Sequence, residues 1–378
     1  MISLNVQAKE QVISIAYGLE NYNFTALFAR FTEETGIKVF DASFKNNELK
    51  AELLQRSNID KLPDVVIVPS DFIGLEEIDF SEVPDTLLSK RLTEKAKSSV
   101  QIGDKYFAVP IVSGNHLLLY YNKAVIKSPA DSWQKLQEQQ AQLAANIDLI
   151  AWSYYEMYWF IPFLGAFQEF PYVNGQLNFK TAGMEKALVW YHQLAIDGIV
   201  DKNCDYKCSV DKFTNNQLAY TINGTWALNL FMNKLGDNLG VALLPSYENK
   251  PMSPYFSSHV IAFPAKGLTG DNAEALKMFA QFFQRKDIQQ AMWESMRSIP
   301  THKEILNDIT LSEKGNIQII LKQLDLSVPL PNERNMAIVW EAMLKGMNRY
   351  QGGLFDAKKA TEYMHYIAGK SIDHVEQQ

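Results

Sequence analysis

The spacing of apolar residues along the N-terminal part of the chain predicts strands that alternate with helices. Residues 12–17 are largely β-branched and apolar, as in a buried strand, and apolar side chains then recur at helical spacing over residues 24–31 until Gly36 ends the pattern. The next predicted elements are a strand at 37–39, a helix at 48–56 and a strand at 64–68. That last strand is apolar at nearly every position, which is typical of a parallel strand covered on both faces. The pattern therefore predicts a βαβαβ arrangement with right-handed crossovers.

The rest of the chain continues the alternation and predicts two α/β lobes. Further strands are predicted at 106–110, 117–121, 220–222, 239–244 and 259–263, and further helices at 132–144, after Trp152, at 184–191, after Trp226, and at 273–284, 288–296, 334–350 and 357–367. With 378 residues the chain exceeds the size of about 250–300 residues at which single cores stop growing. We expect an N-terminal lobe of residues 1–113 plus 262–314 and a C-terminal lobe of residues 114–261 plus 315–378. Each lobe would be a mostly parallel sheet flanked by helices, with a ligand cleft and a hinge between the lobes.

Aromatic residues are concentrated where they can face a ligand. In residues 220–226 (YTINGTW), a short strand is followed by an Asn-Gly break, and Thr225 is the expected cap of a helix that begins at Trp226. Residues 152–170 carry more aromatic side chains than one face of a helix can bury, with Glu156 among them. Aromatic walls with a few fixed polar groups suit the flat faces and hydroxyl edges of sugars. The alternative is that both segments only pack in a core.

Composition and charge narrow the classes of partner. A hydrophobic content of 47% with 21% charged residues is typical of a globular protein, and a net charge of -7 without a basic face argues against nucleic acid. No apolar stretch is long enough to span a bilayer, so we expect no membrane insertion of this chain. The N-terminal residues lack the pattern of a signal peptide, which is therefore either absent or removed from the numbered chain.

The cysteines and histidines do not predict a metal site. Cys204 and Cys208 are the only cysteines, and a local disulfide is the preferred interpretation, with free thiols as the alternative. The six histidines are scattered and are expected at the surface or in satisfied core positions. His116 differs because it lies where the chain is predicted to cross between lobes. We therefore expect neither a metal nor another cofactor.

Six short motifs follow one another along the chain. They are residues 34–39 (ETGIKV), 63–66 (PDVV), 108–111 (AVPI), 121–123 (YNK), 221–226 (TINGTW) and 240–245 (GVALLP). Each motif is weak alone, but as an ordered set they make the chain resemble the maltose/maltodextrin-binding type of extracellular solute-binding protein, in family 1, which serves ATP-driven (ABC) sugar importers. The resemblance covers nearly the whole chain. It implies a two-lobed periplasmic-binding-protein fold, discontinuous in sequence, that closes over a sugar by hinge motion.

The resemblance also implies ligand-binding residues. The family's cleft carboxylate falls on Asp71, the Glu and aromatic residue of a helix motif fall on Glu156 and Tyr158, and the stacking tryptophans fall on Trp226 and Trp340. Asn115, at the first lobe crossing, joins this set. These rings would stack on sugar faces, and the polar groups would accept hydroxyl hydrogen bonds.

Several family positions carry different residues here. Leu19 and Glu20 replace an acidic and basic pair, Val68 replaces a Trp, Phe72 replaces an Arg, and Gly114 or Asn115 replaces a Glu near the hinge. The further candidates for ligand contact are Leu19, Glu20, Phe72, Gly114, His116 and Tyr155. With these departures we still expect an oligosaccharide ligand, but the sequence does not specify maltose.

The leading hypothesis is a non-enzymatic, monomeric carbohydrate-binding protein that delivers an oligosaccharide to ABC transporter permease subunits in the membrane. It would be periplasmic, or extracellular and lipid-anchored in a Gram-positive cell. A glycoside-acting enzyme that uses Asp71 and Glu156 as its acid and base pair is one alternative. A binding protein for a non-sugar solute, such as a polyamine, a metal ion or a phosphate-bearing ligand, is another.

Overall fold

The computed structural model describes residues 11–18 and 22–376, and these form an α/β protein, as predicted. The strands are β1 (Val12–Tyr17), β2 (Lys38–Ser43), β3 (Val65–Pro69), β4 (Gln101–Ile102), β5 (Lys105–Tyr106), β6 (Ala108–Gly114), β7 (Leu117–Asn122), β8 (Asp148–Ala151), β9 (Tyr172–Val173), β10 (Gln176–Leu177), β11 (Leu218–Gly224), β12 (Leu239–Ala242), β13 (Tyr255–Ala262), β14 (Ile299–Pro300) and β15 (Val328–Pro329). The helices are α1 (Thr25–Thr35), α2 (Asn46–Ser57), α3 (Glu94–Ser98), α4 (Trp133–Glu138), α5 (Met157–Gly165), α6 (Ala182–Ile196), α7 (Tyr206–Thr214), α8 (Leu228–Leu235), α9 (Ala273–Phe283), α10 (Lys286–Met296), α11 (Lys303–Ser312), α12 (Asn316–Leu326), α13 (Asn335–Gln351) and α14 (Ala357–Glu376).

The described residues form two compact units, each discontinuous in sequence. Unit 1 contains the described residues up to Ser113 together with Ser258–Asn307, and unit 2 contains Gly114–Ser257 together with the described residues from Asp308 onward. Two apolar core clusters belong to unit 1 and one large cluster belongs to unit 2. Each unit therefore has its own core, as expected for a chain of this length.

The sheet of unit 1 has the strand order β14-β6-β13-β3-β1-β2. β1 pairs in parallel with both β2 and β3, and α1 and α2 connect these strands, so the predicted βαβαβ start is confirmed. All five residues of β3 are buried, which fits a strand covered on both faces. β13 joins β3 in the antiparallel direction, with His259 opposite Pro69.

The sheet of unit 2 is mixed, which corrects the expectation of a mostly parallel sheet in this part of the chain. Its order is β12-β7-β11-β8, with β11 parallel to β8 and both β11 and β12 antiparallel to β7. A parallel connection needs a crossover of a dozen or more residues, usually a helix. The connection from β8 to β11 contains such helices, α5 to α7, and these two strands are parallel, whereas β7 lies in the opposite direction between β11 and β12.

Several predicted element boundaries are wrong. α4 ends at Glu138, and residues 139–142 form a 3-10 turn instead of continuing the helix. α14 extends well past the predicted end at residue 367. β11 continues through Gly224, because β7 offers ladder partners to both Asn223 and Gly224, and this pairing outweighs the local turn preference of Asn-Gly.

Candidate ligand-binding site

Trp226 follows β11 directly, on a 3-10 turn spanning Thr225–Ala227. α8 begins only at Leu228, and its N-cap residue Ala227 makes no side-chain cap bond, so the predicted capping role of Thr225 is wrong. The half-buried indole of Trp226 lies against the backbone of Gly224, where a Cβ atom would come within 1.9 Å of the ring. A side chain at position 224 would therefore displace the indole.

α5 supplies Tyr158 and Trp159 next to that turn. The Trp159 Nε1–H donates to the Ile222 carbonyl of β11 at 2.8 Å, and the Trp159 ring contacts Trp226 edge to face at 5.9 Å. The Tyr158 ring lies 6.3 Å from that of Trp226. The central strand of the sheet and α5 thus hold these rings in one place.

Trp340 of α13 extends the same group of rings. Its ring lies 6.5 Å from Tyr158 and 6.2 Å from Tyr255, and Tyr255 stacks on Phe170 at 5.4 Å. Tyr158, Trp226 and Trp340 are each half-buried, whereas Tyr255 is buried beneath them. We call these three half-buried rings the aromatic surface.

The structure thus brings together the three predicted stacking residues, all within unit 2. Sequence reasoning did not select the supporting rings Trp159, Tyr255 and Phe170, although Trp159 and Phe170 lie in the aromatic-rich segment that it singled out. It also passed over Tyr206, whose ring contacts Trp159 at 6.1 Å. Its position between the two cysteines is the one signal that could have drawn attention to it.

Asn115 connects the aromatic surface to the chain crossing. It adopts a left-handed conformation with φ 45°, which asparagine tolerates better than most residues. Its Nδ2 donates to the Ser257 hydroxyl at 2.6 Å, and its carbonyl oxygen lies 2.5 Å from the Tyr158 hydroxyl. That hydroxyl is also 3.1 Å from the Tyr255 carbonyl oxygen, so it contacts backbone near two of the three places where the chain passes between units.

Two other candidate ligand residues, near the point where the chain passes from unit 1 to unit 2, are buried. His116 is fully buried, and its Nε2 lies 3.1 Å from the Ile320 carbonyl oxygen, which favours a structural role over ligand contact. Gly114 is buried as well, with φ 113°, and contributes only backbone.

The remaining candidates of unit 2 are exposed side chains. Glu156 is exposed and immediately precedes α5, two residues from Tyr158. Tyr155 is also exposed, and its ring contacts Tyr154 at 5.3 Å. Both side chains are thus accessible to solvent just before α5 begins.

Asp71 and Phe72 belong to unit 1 and lie on the 3-10 turn after β3. Burial raises the pKa of Asp71, and the positive charge of Lys50 partly opposes this. Phe72 is only 6% exposed and packs in the core with Val68, so ligand contact by Phe72 is not favoured. Leu19 and Glu20 lie outside the described residues.

Unit 1 also holds a buried histidine that the sequence did not single out. His259 on β13 is 5% exposed, and its ring contacts Tyr22 edge to face at 5.7 Å. Burial lowers the pKa of His259 to about 4 and raises the pKa of Tyr22. Both side chains are therefore neutral near pH 7.

Three other features of the described residues bear on metal binding, on a cavity and on membrane spans. Within residues 11–18 and 22–376, no group of three or more His, Cys, Asp or Glu side chains is arranged to hold a metal ion. A cavity of about 680 Å³ in unit 2 lies between β8, the end of α6 and Lys212, but its described lining contains no Trp, Tyr or Phe. In the same described ranges, none of the helices has the length and apolar character needed to cross a membrane.

Comparison with known sequences places the chain near one group of binding proteins. Residues 26–318 match the profile of the bacterial extracellular solute-binding proteins. Maltooligosaccharide ABC transporter solute-binding lipoproteins from two strains of Streptococcus pneumoniae are each 24% identical, over 94% of this chain and 86% of their own length.

A solved structure shows the same fold. The maltose/maltodextrin-binding domain MalE from Bdellovibrio bacteriovorus, bound to maltotriose, aligns with a TM-score of 0.84 and 20% sequence identity. The alignment covers 96% of this chain and 100% of that domain. The predicted periplasmic-binding-protein fold class is therefore confirmed.

Proposed function

Because the chain belongs to the bacterial extracellular solute-binding proteins, we propose that it binds an oligosaccharide and delivers it to the membrane permease of an ABC importer. Membership in this family confirms the prediction of a binding protein and not an enzyme. The observation that carries the proposal is the aromatic surface of unit 2, where three half-buried rings from three separate elements lie side by side.

The chemistry of these rings suits a sugar. Each pyranose face presents C–H groups that pack on aromatic planes, and burial of such apolar area contributes about 25 cal/mol per Å². The exposed carboxylate of Glu156 can accept hydroxyl hydrogen bonds, which contribute about 1.5–3 kcal/mol when the acceptor is charged. A few such contacts together reach about -8 kcal/mol, which corresponds to micromolar affinity.

The named ligands of similar proteins suggest which sugar to try first. The similar lipoproteins are named for maltooligosaccharides, and the aligned domain was solved with maltotriose. We therefore propose malto-oligosaccharides as the first candidate ligands. Val68 and Phe72 are buried core residues, and this difference from the family pattern supports a different set of polar contacts within the oligosaccharide class.

Asp71, Asn115 and Glu156 complete the proposed set of polar ligand residues, with Tyr155 as a further candidate. For the whole molecule we propose that units 1 and 2 are the two lobes and that ligand binding closes them by hinge motion. A monomer acting in the periplasm, or held at the outer face of the membrane by a lipid, is part of the same proposal.

Isothermal titration calorimetry with maltose, maltotriose, maltotetraose and a matched series of β-linked oligosaccharides tests the proposal. We expect saturable binding of at least one oligosaccharide near micromolar affinity. Absence of heat and of Trp fluorescence change with every member of both series would refute it.

Substitutions of single aromatic residues test whether the aromatic surface is the binding site. Trp226→Ala and Trp340→Ala should each weaken binding by about tenfold or more, because loss of a central aromatic anchor costs about 1.4 kcal/mol or more. Tyr366→Ala is the control, since Tyr366 is 64% exposed and lies on α14, a helix that carries none of these three rings. Unchanged affinity in both Trp variants would move the site elsewhere even if the wild-type protein binds sugar.

A further inference from the structure

The first turn of α7 is held by a small covalent ring. Cys204 and Cys208 are joined by a disulfide with a Cα to Cα distance of 5.2 Å. Inside this ring the side chain of Asp205 accepts the backbone N–H of Cys208 at 2.8 Å and caps the helix. Cys204 is buried, at 1% exposure, so the ring is anchored on one side. The start of α7 is thus fixed by a covalent bond and by a cap at the same place.

Tyr206 is the first residue of α7 and lies inside this ring. Its side chain is 37% exposed, and its aromatic ring contacts Trp159 edge to face at 6.1 Å. Trp159 in turn contacts Trp226 at 5.9 Å. Tyr206 is therefore linked to Trp226 of the aromatic surface through the ring of Trp159.

Tyr206 stands at a position that is mobile in most helices. The first turn of a helix lacks intrahelical partners for its N–H groups and opens easily. A disulfide restricts the chain, but the entropic stabilisation that it gives falls as the closed loop becomes shorter. This bridge closes one of the shortest loops possible, so its main local effect is to fix the backbone that carries Tyr206.

We propose that the Cys204–Cys208 disulfide is a positioning device: it holds Tyr206 against Trp159 as a preorganised edge of the aromatic surface, and so sets the affinity for the longer oligosaccharides. The inference rests on the proposed function. Fixing a contact residue before binding lowers the ordering cost that the ligand would otherwise have to offset. A short ligand held by Trp226, Tyr158 and Trp340 does not reach Tyr206, so its affinity is independent of the bridge.

The test is a double-mutant cycle read out by calorimetry across ligand length. The variants are Cys204→Ser with Cys208→Ser, Tyr206→Ala, and all three substitutions together, each titrated with the shortest and the longest oligosaccharide that the wild-type protein binds. The first two variants should each lose about three- to tenfold affinity for the long ligand and stay within about twofold of wild type for the short one. The triple variant should be no weaker than Tyr206→Ala alone, because the disulfide acts through that ring.

Several outcomes overturn the inference. Wild-type affinity for the long ligand in the disulfide variant, equal losses for both ligands, or losses that add in the triple variant would each do so. If the disulfide variant does not fold, the Tyr206→Ala variant provides the test. Unchanged affinity of that variant for the long ligand overturns the proposal. A wild-type protein that binds no oligosaccharide at all refutes the proposed function, whereas the other outcomes refute only the positioning role.

Discussion

At the scale of single residues, Asn115 shows how backbone conformation and hydrogen bonding combine at one position. Its left-handed φ of 45° strains most side chains, and its amide also donates to Ser257. Asn115→Ala loses both features and should lower the free energy of unfolding by about 1–3 kcal/mol. Asn115→Gly removes only the hydrogen bond and should cost less. Urea unfolding of the two variants measures this, and an alanine variant as stable as the glycine variant would contradict it.

His259 makes the stability of the protein sensitive to mild acid. Burial lowers its pKa to about 4, whereas an unfolded histidine titrates near about 6.5. Between these values the unfolded chain binds a proton that the folded chain does not, so the free energy of unfolding falls as the pH falls. We expect a loss of about 2 kcal/mol between pH 7 and pH 5 from this residue.

The measurement is urea unfolding of wild type and His259→Gln at both pH values. Asp287 titrates lower, at about 2, and therefore contributes little in this range. His192, His302 and His365 have lowered pKa values too and contribute in the same direction, but equally in both proteins. An identical pH dependence in the variant would contradict the assignment to His259.

At the scale of elements, the turn after β11 depends on the absence of a side chain at Gly224. Because a Cβ there would meet the Trp226 ring at 1.9 Å, Gly224→Ala should displace the indole and weaken oligosaccharide binding by about tenfold. Gly270→Ala is the matched control, since its added Cβ would meet its nearest neighbour only at 3.6 Å. Calorimetry and the near-ultraviolet circular dichroism of tryptophan report the two effects, and unchanged binding in Gly224→Ala would count against the site.

The Tyr158 hydroxyl connects α5 to two of the three segments where the chain passes between units. Tyr158→Phe keeps the ring but removes hydrogen bonding to the carbonyls of Asn115 and Tyr255. We expect the free energy of unfolding to fall by about 0.5–1.5 kcal/mol, while sugar affinity changes less than in Tyr158→Ala. A phenylalanine variant that loses as much affinity as the alanine variant would mean that the hydroxyl, and not the ring, contacts the ligand.

The strands and helices also show which parts of the fold the sequence pattern alone could predict. The periodicity of residues 12–68 specified β1 to β3 and the helices between them, because β1 and β3 carry local apolar patterns that bury them, while the more exposed β2 pairs in parallel with β1. The boundary at Asn223-Gly224 was wrong because a partner distant in sequence, β7, extends the strand. The antiparallel direction of β7 was missed for a related reason, since the pairing of strands is set by tertiary structure.

At the scale of the whole molecule, the family and fold followed from an ordered set of weak motifs, while the site followed only in part. Trp226, Tyr158 and Trp340 are far apart in sequence, and the resemblance suggested that they meet. His259 could not be found in this way, because burial of a histidine ring whose Nδ1 has no hydrogen-bond partner is a property of the folded chain. Tyr206 offered only its place between the two cysteines as a signal in the sequence.

Hinge closure of the two units stays a prediction at this scale. Small-angle X-ray scattering with and without the tightest-binding oligosaccharide measures it, and the expected result is a smaller radius of gyration in the bound state. A radius of gyration that ligand leaves unchanged would mean that binding does not move the units.

The most direct test of the central claim is a crystal structure of the protein grown with the malto-oligosaccharide that it binds most tightly. We expect sugar rings packed against Trp226, Tyr158 and Trp340, with hydroxyls at the edges bonded to polar side chains such as Glu156. A sugar bound with no contact to these three rings would contradict it.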